Sequence, residues 1–153
     1  MSKDHTASEV IILIAEDDDG HAELIREHLC EAAIGNPIQR FSNGQEVWDF
    51  LSKSGKGPHR VSGQAYLLLL DIRMPKLDGV EVLRRIKADP ALHSLPVIML
   101  TTTSEPREIA ECYKLGCNSY VAKPVNFLQF AEAIKRLGCF ISIIKVDALN
   151  GLS

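Results

Sequence analysis

Apolar positions along the chain fall into two alternating rhythms: short unbroken runs, and stretches at helical spacing. Residues 10–15 (VIILIA) form a continuous run rich in β-branched side chains, the pattern of a strand covered on both faces. Ala22, Ile25, Leu29 and Ala32 follow at three- and four-residue intervals and predict a helix reaching about residue 33. Ile38–Phe41 reads as a short second strand, Ser42-Asn43-Gly44 as a turn and cap, and Val47, Phe50 and Leu51 as one face of a second helix. Residues 52–64 (SKSGKGPHRVSGQ) are polar and rich in Gly and Ser, which predicts a surface loop. A third strand spans residues 66–70. The helix after it carries Val80, Leu83 and Ile86 and stops near Asp89-Pro90. A fourth strand spans residues 96–100, and its helix is expected to be capped by Ser104, with Pro106 in the first turn and Gly116 at the end. Ser119–Ala122 is the fifth strand, and Phe127, Phe130, Ile134 and Leu137 mark a last helix. Five β-α units in succession predict an α/β fold, a doubly wound five-stranded parallel sheet with helices on both faces.

Composition leaves that picture intact and narrows the function. The 153 residues are 46% hydrophobic and 24% charged, and 17 Lys+Arg against 20 Asp+Glu give a formal net charge of −3. A disordered chain would be poorer in apolar residues and more highly charged. Nucleic acid is not expected as a partner, because such binding wants a basic surface. The apolar runs at residues 10–15 and 65–70 fall far short of the ~20 residues of a membrane span, so no membrane association is expected. The first nine residues carry one Lys and two acids and lead into a run that stops at Glu16, unlike a signal peptide. The expected compartment is therefore cytoplasmic. Cys30, Cys112, Cys117 and Cys139 show neither CxxC spacing nor a His partner at zinc spacing, and read as free thiols of a reducing compartment.

In a doubly wound sheet the functional crevice lies outside the carboxyl ends of the strands. Here those ends are chemically loaded. Glu16, Asp17, Asp18 and Asp19 follow the first strand, Asp71 the third, Thr101, Thr102 and Thr103 the fourth, and Lys123-Pro124 the fifth. Taken singly, each has an ordinary explanation. Acids complement a helix dipole, a Thr at a strand end is a cap or turn residue, and a lone Lys is a solvated charge. Together they demand more. Two carboxylates ~4 Å apart repel by about 4 kcal/mol at an effective dielectric of ~20, and one Lys does not offset several acids. A hard divalent cation does: Mg2+ takes one or two carboxylates, keeps waters and accepts phosphate oxygens. A cation, a Lys and a Thr hydroxyl around one Asp make a phosphoryl-transfer site, in which the Asp can carry the group covalently.

The motifs IAEDD (14–18), LLDIRMPKLDG (69–79), VIMLT (97–101) and YVAKP (120–124), in that order, resemble those of response-regulator receiver domains of two-component signalling. The resemblance spans roughly residues 10–137. It implies a flavodoxin-like (βα)5 receiver fold and a signalling domain rather than an enzyme. Asp71 becomes the phospho-acceptor, and Glu16 and Asp17 the acidic pair that positions Mg2+, for which Mn2+ or Ca2+ can substitute. Asp17 is then a direct metal ligand, with Asp71 and the backbone carbonyl of Arg73 as further ligands. Thr101 hydrogen-bonds the phosphoryl group, Lys123 pairs with it, and Tyr120 is the aromatic switch that turns inward with Thr101. Pro124 follows a cis peptide bond. The donor is a histidine kinase. The long loop at 52–64, the segment 93–103 and the tail resemble single-domain regulators that partner phytochrome-type histidine kinases.

Glu16 stands where Asp is more common in the family. Arg73 leans over the acceptor and is expected to pair with an acid or the phosphoryl group, or to point to solvent. None of the five histidines clusters usefully; His21 lies near the acidic stretch but reads as a helix-surface residue, and Trp48 as a packing residue of the second helix. The chain divides into a flexible N-terminus (1–8), a receiver domain (9–138) and a C-terminal extension (139–153) too short for a helix-turn-helix output module. Residues 139–146 (CFISIIKV) are apolar for an exposed end. They predict a homodimer through the fourth helix, fifth strand and fifth helix, or else a tail folded back on its own domain. An aspartate-nucleophile phosphatase would need a second Asp two residues after the nucleophile, where this chain has Arg73. A flavodoxin-like cofactor binder would want a phosphate-cradling Gly/Ser/Thr loop after the first strand, where this chain has four acids that repel phosphate.

Overall fold

The unbroken leucine run becomes the middle of a sheet. A computed structural model describes residues 9–31, 34–101 and 105–122, together with 128 and 132. Its elements are β1 (Ile11–Ala15), α1 (Asp19–Glu31), β2 (Ile38–Phe41), α2 (Gly44–Ser52), β3 (Tyr66–Asp71), α3 (Gly79–Ala88), β4 (Val97–Thr101), α4 (Pro106–Leu115) and β5 (Ser119–Ala122). Of the segment predicted as a fifth helix only residues 128 and 132 are described, both helical. Residues 1–8 and the tail at 139–153, with its predicted dimer contact, lie outside the described residues.

All strand pairs are parallel and the order is β2-β1-β3-β4-β5. This is the flavodoxin-like arrangement expected from the sequence. Every residue of β3 is buried, as are Ile12–Ala15 of β1, because helices cover both faces of these central strands. Right-handed crossovers require α1 on one face and α2, α3 and α4 on the other, since the chain steps one way from β1 to β2 and the opposite way thereafter. That reversal puts β1 beside β3, and a doubly wound sheet opens its crevice at such a point.

Strand limits move by a residue from those expected, with one useful consequence. β3 extends to Asp71, which pairs in register with Leu100, so the acceptor candidate is held by the ladder itself. Asn43 caps α2, accepting from the Glu46 N–H at 2.8 Å. Gly116 ends α4 in the left-handed conformation (φ 106), where its lack of a Cβ removes the penalty. The expected Ser104 cap is corrected: the residue before Pro106 at the N-cap is Glu105, with no side-chain cap bond, because Pro106 occupies the first helical position. Cys112 and Cys117 are buried and Cys30 exposed, all three as free thiols. No helix among the described residues is long and apolar enough to cross a membrane.

Candidate functional site

Strand register brings the site together. Ala15 lies opposite both Phe41 and Leu70, and Thr101 opposite Ala122, so the residues that follow β1 and those that close β3, β4 and β5 meet at one sheet edge. One carboxylate oxygen from each of Glu16, Asp17 and Asp71 lies within 4.8 Å of the others. Glu16 and Asp71 are buried and Asp17 is exposed, so the cluster has a dry floor and an open mouth.

The backbone holds these groups in place. The Glu16 N–H donates to the Phe41 carbonyl at 3.0 Å. The Glu16 side chain turns back to accept from the Asp18 N–H at 3.1 Å, fixing one of its oxygens at the crevice. Arg40 of β2 donates twice to the Glu16 carbonyl, from Nε at 3.0 Å and Nη2 at 2.8 Å, and its Nη1 reaches Asp19 Oδ1 at 2.6 Å. That fork clamps the acidic loop from outside. Sequence reasoning missed Arg40; the available signal was a charged residue inside the four-residue strand IQRF.

On the other side, Gly79 donates to the Ile72 carbonyl at 2.8 Å and starts α3 directly beneath the acceptor. The intervening loop turns sharply through Lys76, a non-glycine residue at φ 72. Arg73 lies in this loop. Its side chain is 63% exposed and its Nη2 lies 3.1 Å from Glu108 Oε1 on α4, so it pairs with an acid, one of the expected outcomes.

His21 lies beside the acidic stretch with its side chain 38% exposed, as expected of a residue on the helix surface. Its Nδ1 atom is buried and turned towards the acidic loop, 3.8 Å from Glu16 Oε2. Tyr120 is exposed on β5 and stacks edge-to-face on Tyr113 of α4, with ring centroids 5.9 Å apart. β4 closes at Thr101, but the Thr101 side chain, Lys123 and Pro124 lie outside the described residues.

The donor set fits a hard divalent cation. Three oxygens at this spacing come from carboxylates, two of them out of water, and ionised carboxylates in such a place are stabilised by positive charge. The buried Nδ1 of His21, without a hydrogen-bond partner at the same edge, is a further polar atom placed for a hydrated ion. What the arrangement can do is hold a cation against Asp71 at the floor of a crevice whose mouth is formed by the exposed Asp17.

The family profile of the response regulator receiver domain matches residues 12–135. A response regulator receiver domain from Rhodospirillum rubrum is 42% identical, with a TM-score of 0.74 over 93% of this chain and 100% of that one. The bacteriophytochrome response regulator RtBRR is 37% identical, with a TM-score of 0.76 over 85% of this chain and 78% of that one. Response regulator Rcp1 from Synechocystis sp. is 31% identical over 85% of this chain and 87% of its own length. The Mn2+-bound structure of Rcp1 matches with a TM-score of 0.68 at 28% identity, over 94% of this chain and 97% of that one.

Proposed function

The chain belongs to the response regulator receiver domain family, and from that premise we propose that it accepts a phosphoryl group on Asp71 from a histidine kinase in a Mg2+-dependent reaction. The observation that carries this reading is the convergence of Glu16, Asp17 and Asp71 at the β1/β3 edge. In the transfer, an Asp71 carboxylate oxygen attacks the phosphorus of a kinase phosphohistidine. The P–N bond breaks, its electron pair returns to the imidazole, and an acyl phosphate forms. Glu16, Asp17, Asp71 and the Arg73 backbone carbonyl would hold Mg2+, which would supply positive charge to neutralise the phosphoryl oxygens. Thr101 hydrogen-bonds the phosphoryl group and Lys123 pairs with it, by resemblance to the family motifs. Tyr120 then exchanges its exposed position for an inward one.

The kinase proposed is of phytochrome type, supported by the likeness to RtBRR and Rcp1, and the compartment is the cytoplasm. The signal leaves through a change of association. Tyr113 and Tyr120 are exposed on α4 and β5, at the β5 edge of the described sheet. Together with the apolar tail at 139–146 they supply a surface for a homodimer.

Incubation with a phosphorylated phytochrome-type kinase tests the reading. Wild-type protein is expected to take up hydroxylamine-labile label only with Mg2+ present, and sedimentation of the labelled chain to show more dimer than the unlabelled one. Asp71→Asn is expected to lose labelling by at least ~100-fold while keeping its fold. Undiminished labelling of a folded Asp71→Asn overturns the assignment.

A further inference from the structure

Among the described residues, one buried side-chain polar atom at this site has no hydrogen-bond partner: Nδ1 of His21. His21 lies in the first turn of α1, and its backbone N–H donates to Asp18 Oδ1 at 2.9 Å. The side chain is 38% exposed, yet Nδ1 is turned inward, 3.8 Å from Glu16 Oε2 and 4.0 Å from Asp18 Oδ1. Both distances are beyond a hydrogen bond. A buried nitrogen left without a hydrogen-bond partner is costly, and the cost is relieved when a donor enters the space it faces.

We propose that His21 is a positioning residue of the cation site, its Nδ1 accepting a hydrogen bond from a water molecule carried by the bound divalent cation. This rests on the reading of Glu16, Asp17 and Asp71 as the cation-holding set. His21 is not part of that set of mutually close donor atoms, so it stands one layer further out, where water rather than the ion is met. Mg2+ keeps several of its waters in protein sites, and each bound water presents O–H groups that need acceptors. Imidazole with its proton on Nε2 offers Nδ1 as such an acceptor. Glu16 Oε2, next to it, already takes the Asp18 N–H, so the imidazole adds acceptor capacity at that corner. Outer-layer groups of this kind typically carry 10–100-fold in metal affinity.

Calorimetric titration of the full chain with MgCl2 tests this, using wild type, Asp17→Asn, His21→Leu and His21→Gln, with melting curves to verify folding. His21→Leu is expected to weaken Mg2+ binding by about 10-fold. His21→Gln, whose amide oxygen also accepts, is expected to recover most of that loss. Long-range 1H–15N spectra of wild type give a readout that does not depend on any variant. On adding Mg2+, the Nδ1 resonance is expected to move in the direction of a hydrogen-bonded acceptor, with the proton kept on Nε2. Wild-type affinity in His21→Leu beside lost affinity in Asp17→Asn removes His21 from the site and leaves the cation reading standing. An Nδ1 resonance unmoved by saturating Mg2+ does the same. Failure of the wild type to bind Mg2+ at millimolar concentration defeats both.

Discussion

Asp71 is the last residue of a strand, and its main chain is crowded from below. A Cβ at Gly79 would sit 2.2 Å from the Asp71 carbonyl oxygen and 2.9 Å from Ile72 Cα. Gly79 is therefore required by close approach, and any larger residue must displace the backbone of Asp71 and Ile72. Gly79→Ala is expected to lower stability by ~1–3 kcal/mol through overpacking and to weaken Mg2+ binding as well. Gly57→Ala, where an added Cβ meets nothing within 4 Å, is expected to stay within ~0.5 kcal/mol of wild type. Urea unfolding and Mg2+ titration of the two variants check this; an unaltered Gly79→Ala would remove the crowding argument. At the same scale, the Arg73–Glu108 pair contributes little to stability, since an exposed ion pair is worth about 0–1 kcal/mol. Its interest is its reach, from the loop after the acceptor to the first turn of α4.

Each helix around the site is started differently. α3, which begins under Asp71, has Asp78 as its N-cap, accepting from the Glu81 N–H at 2.9 Å. Glu81 in turn receives Arg85 and Arg84 one turn on, and these hydrogen bonds, Arg85 first, hold its carboxyl below the usual range. Asp78→Ala is expected to cost ~1 kcal/mol, the ordinary value of a lost cap, with the urea m-value unchanged. A loss under ~0.3 kcal/mol would show that tertiary contacts alone hold this end. Asn43 and Gly116 were legible as caps because their residue types are specialised for those positions. Ser104 was misread because a Ser two residues before a Pro satisfies the cap pattern, whereas Pro at the first helical position makes its immediate neighbour, Glu105, the cap.

At the scale of the whole molecule, two thiols make stability depend on alkaline pH. Burial pushes Cys112 from the ordinary 9.0 up to about 11, helped by the neighbouring Cys117 and by Glu108, Glu111 and Asp78. Burial likewise raises Cys117 to about 11, against the opposing Lys87 charge and the Ser119 backbone. Between pH ~9 and ~11 the unfolded chain releases thiol protons that the folded chain keeps. Proton uptake is then greater in the native state, and stability falls as pH rises. Below pH 9 this contribution is fully present; above 11 it is gone. Burial-raised Tyr66 and Tyr113 act in the same direction at higher pH, and burial-lowered Lys87 acts against them. Unfolding by urea at pH 8 and pH 10.5 is expected to show a larger loss for wild type than for the Cys112→Ala, Cys117→Ala double variant. Equal losses would assign the pH effect to other groups.

The order of strands and helices was determined by the sequence itself, because apolar periodicity is a local property. A run buried on both faces, such as residues 66–70, can be little else than a central parallel strand. The acids at 16–19 and Asp71 were legible as one site for a related reason: alternating β-α units send every strand the same way, so all strand ends share an edge. Only the tertiary structure decided which neighbours each end acquired. The order β2-β1-β3 set Asp71 beside Glu16, and it delivered Arg40 from β2 to the Glu16 carbonyl across a sequence separation that no local pattern reports. It also carried Arg73 to Glu108 on α4. The aim of His21 Nδ1 was not legible either: helical spacing places a residue on a face, but not which atom of its ring meets the neighbouring loop.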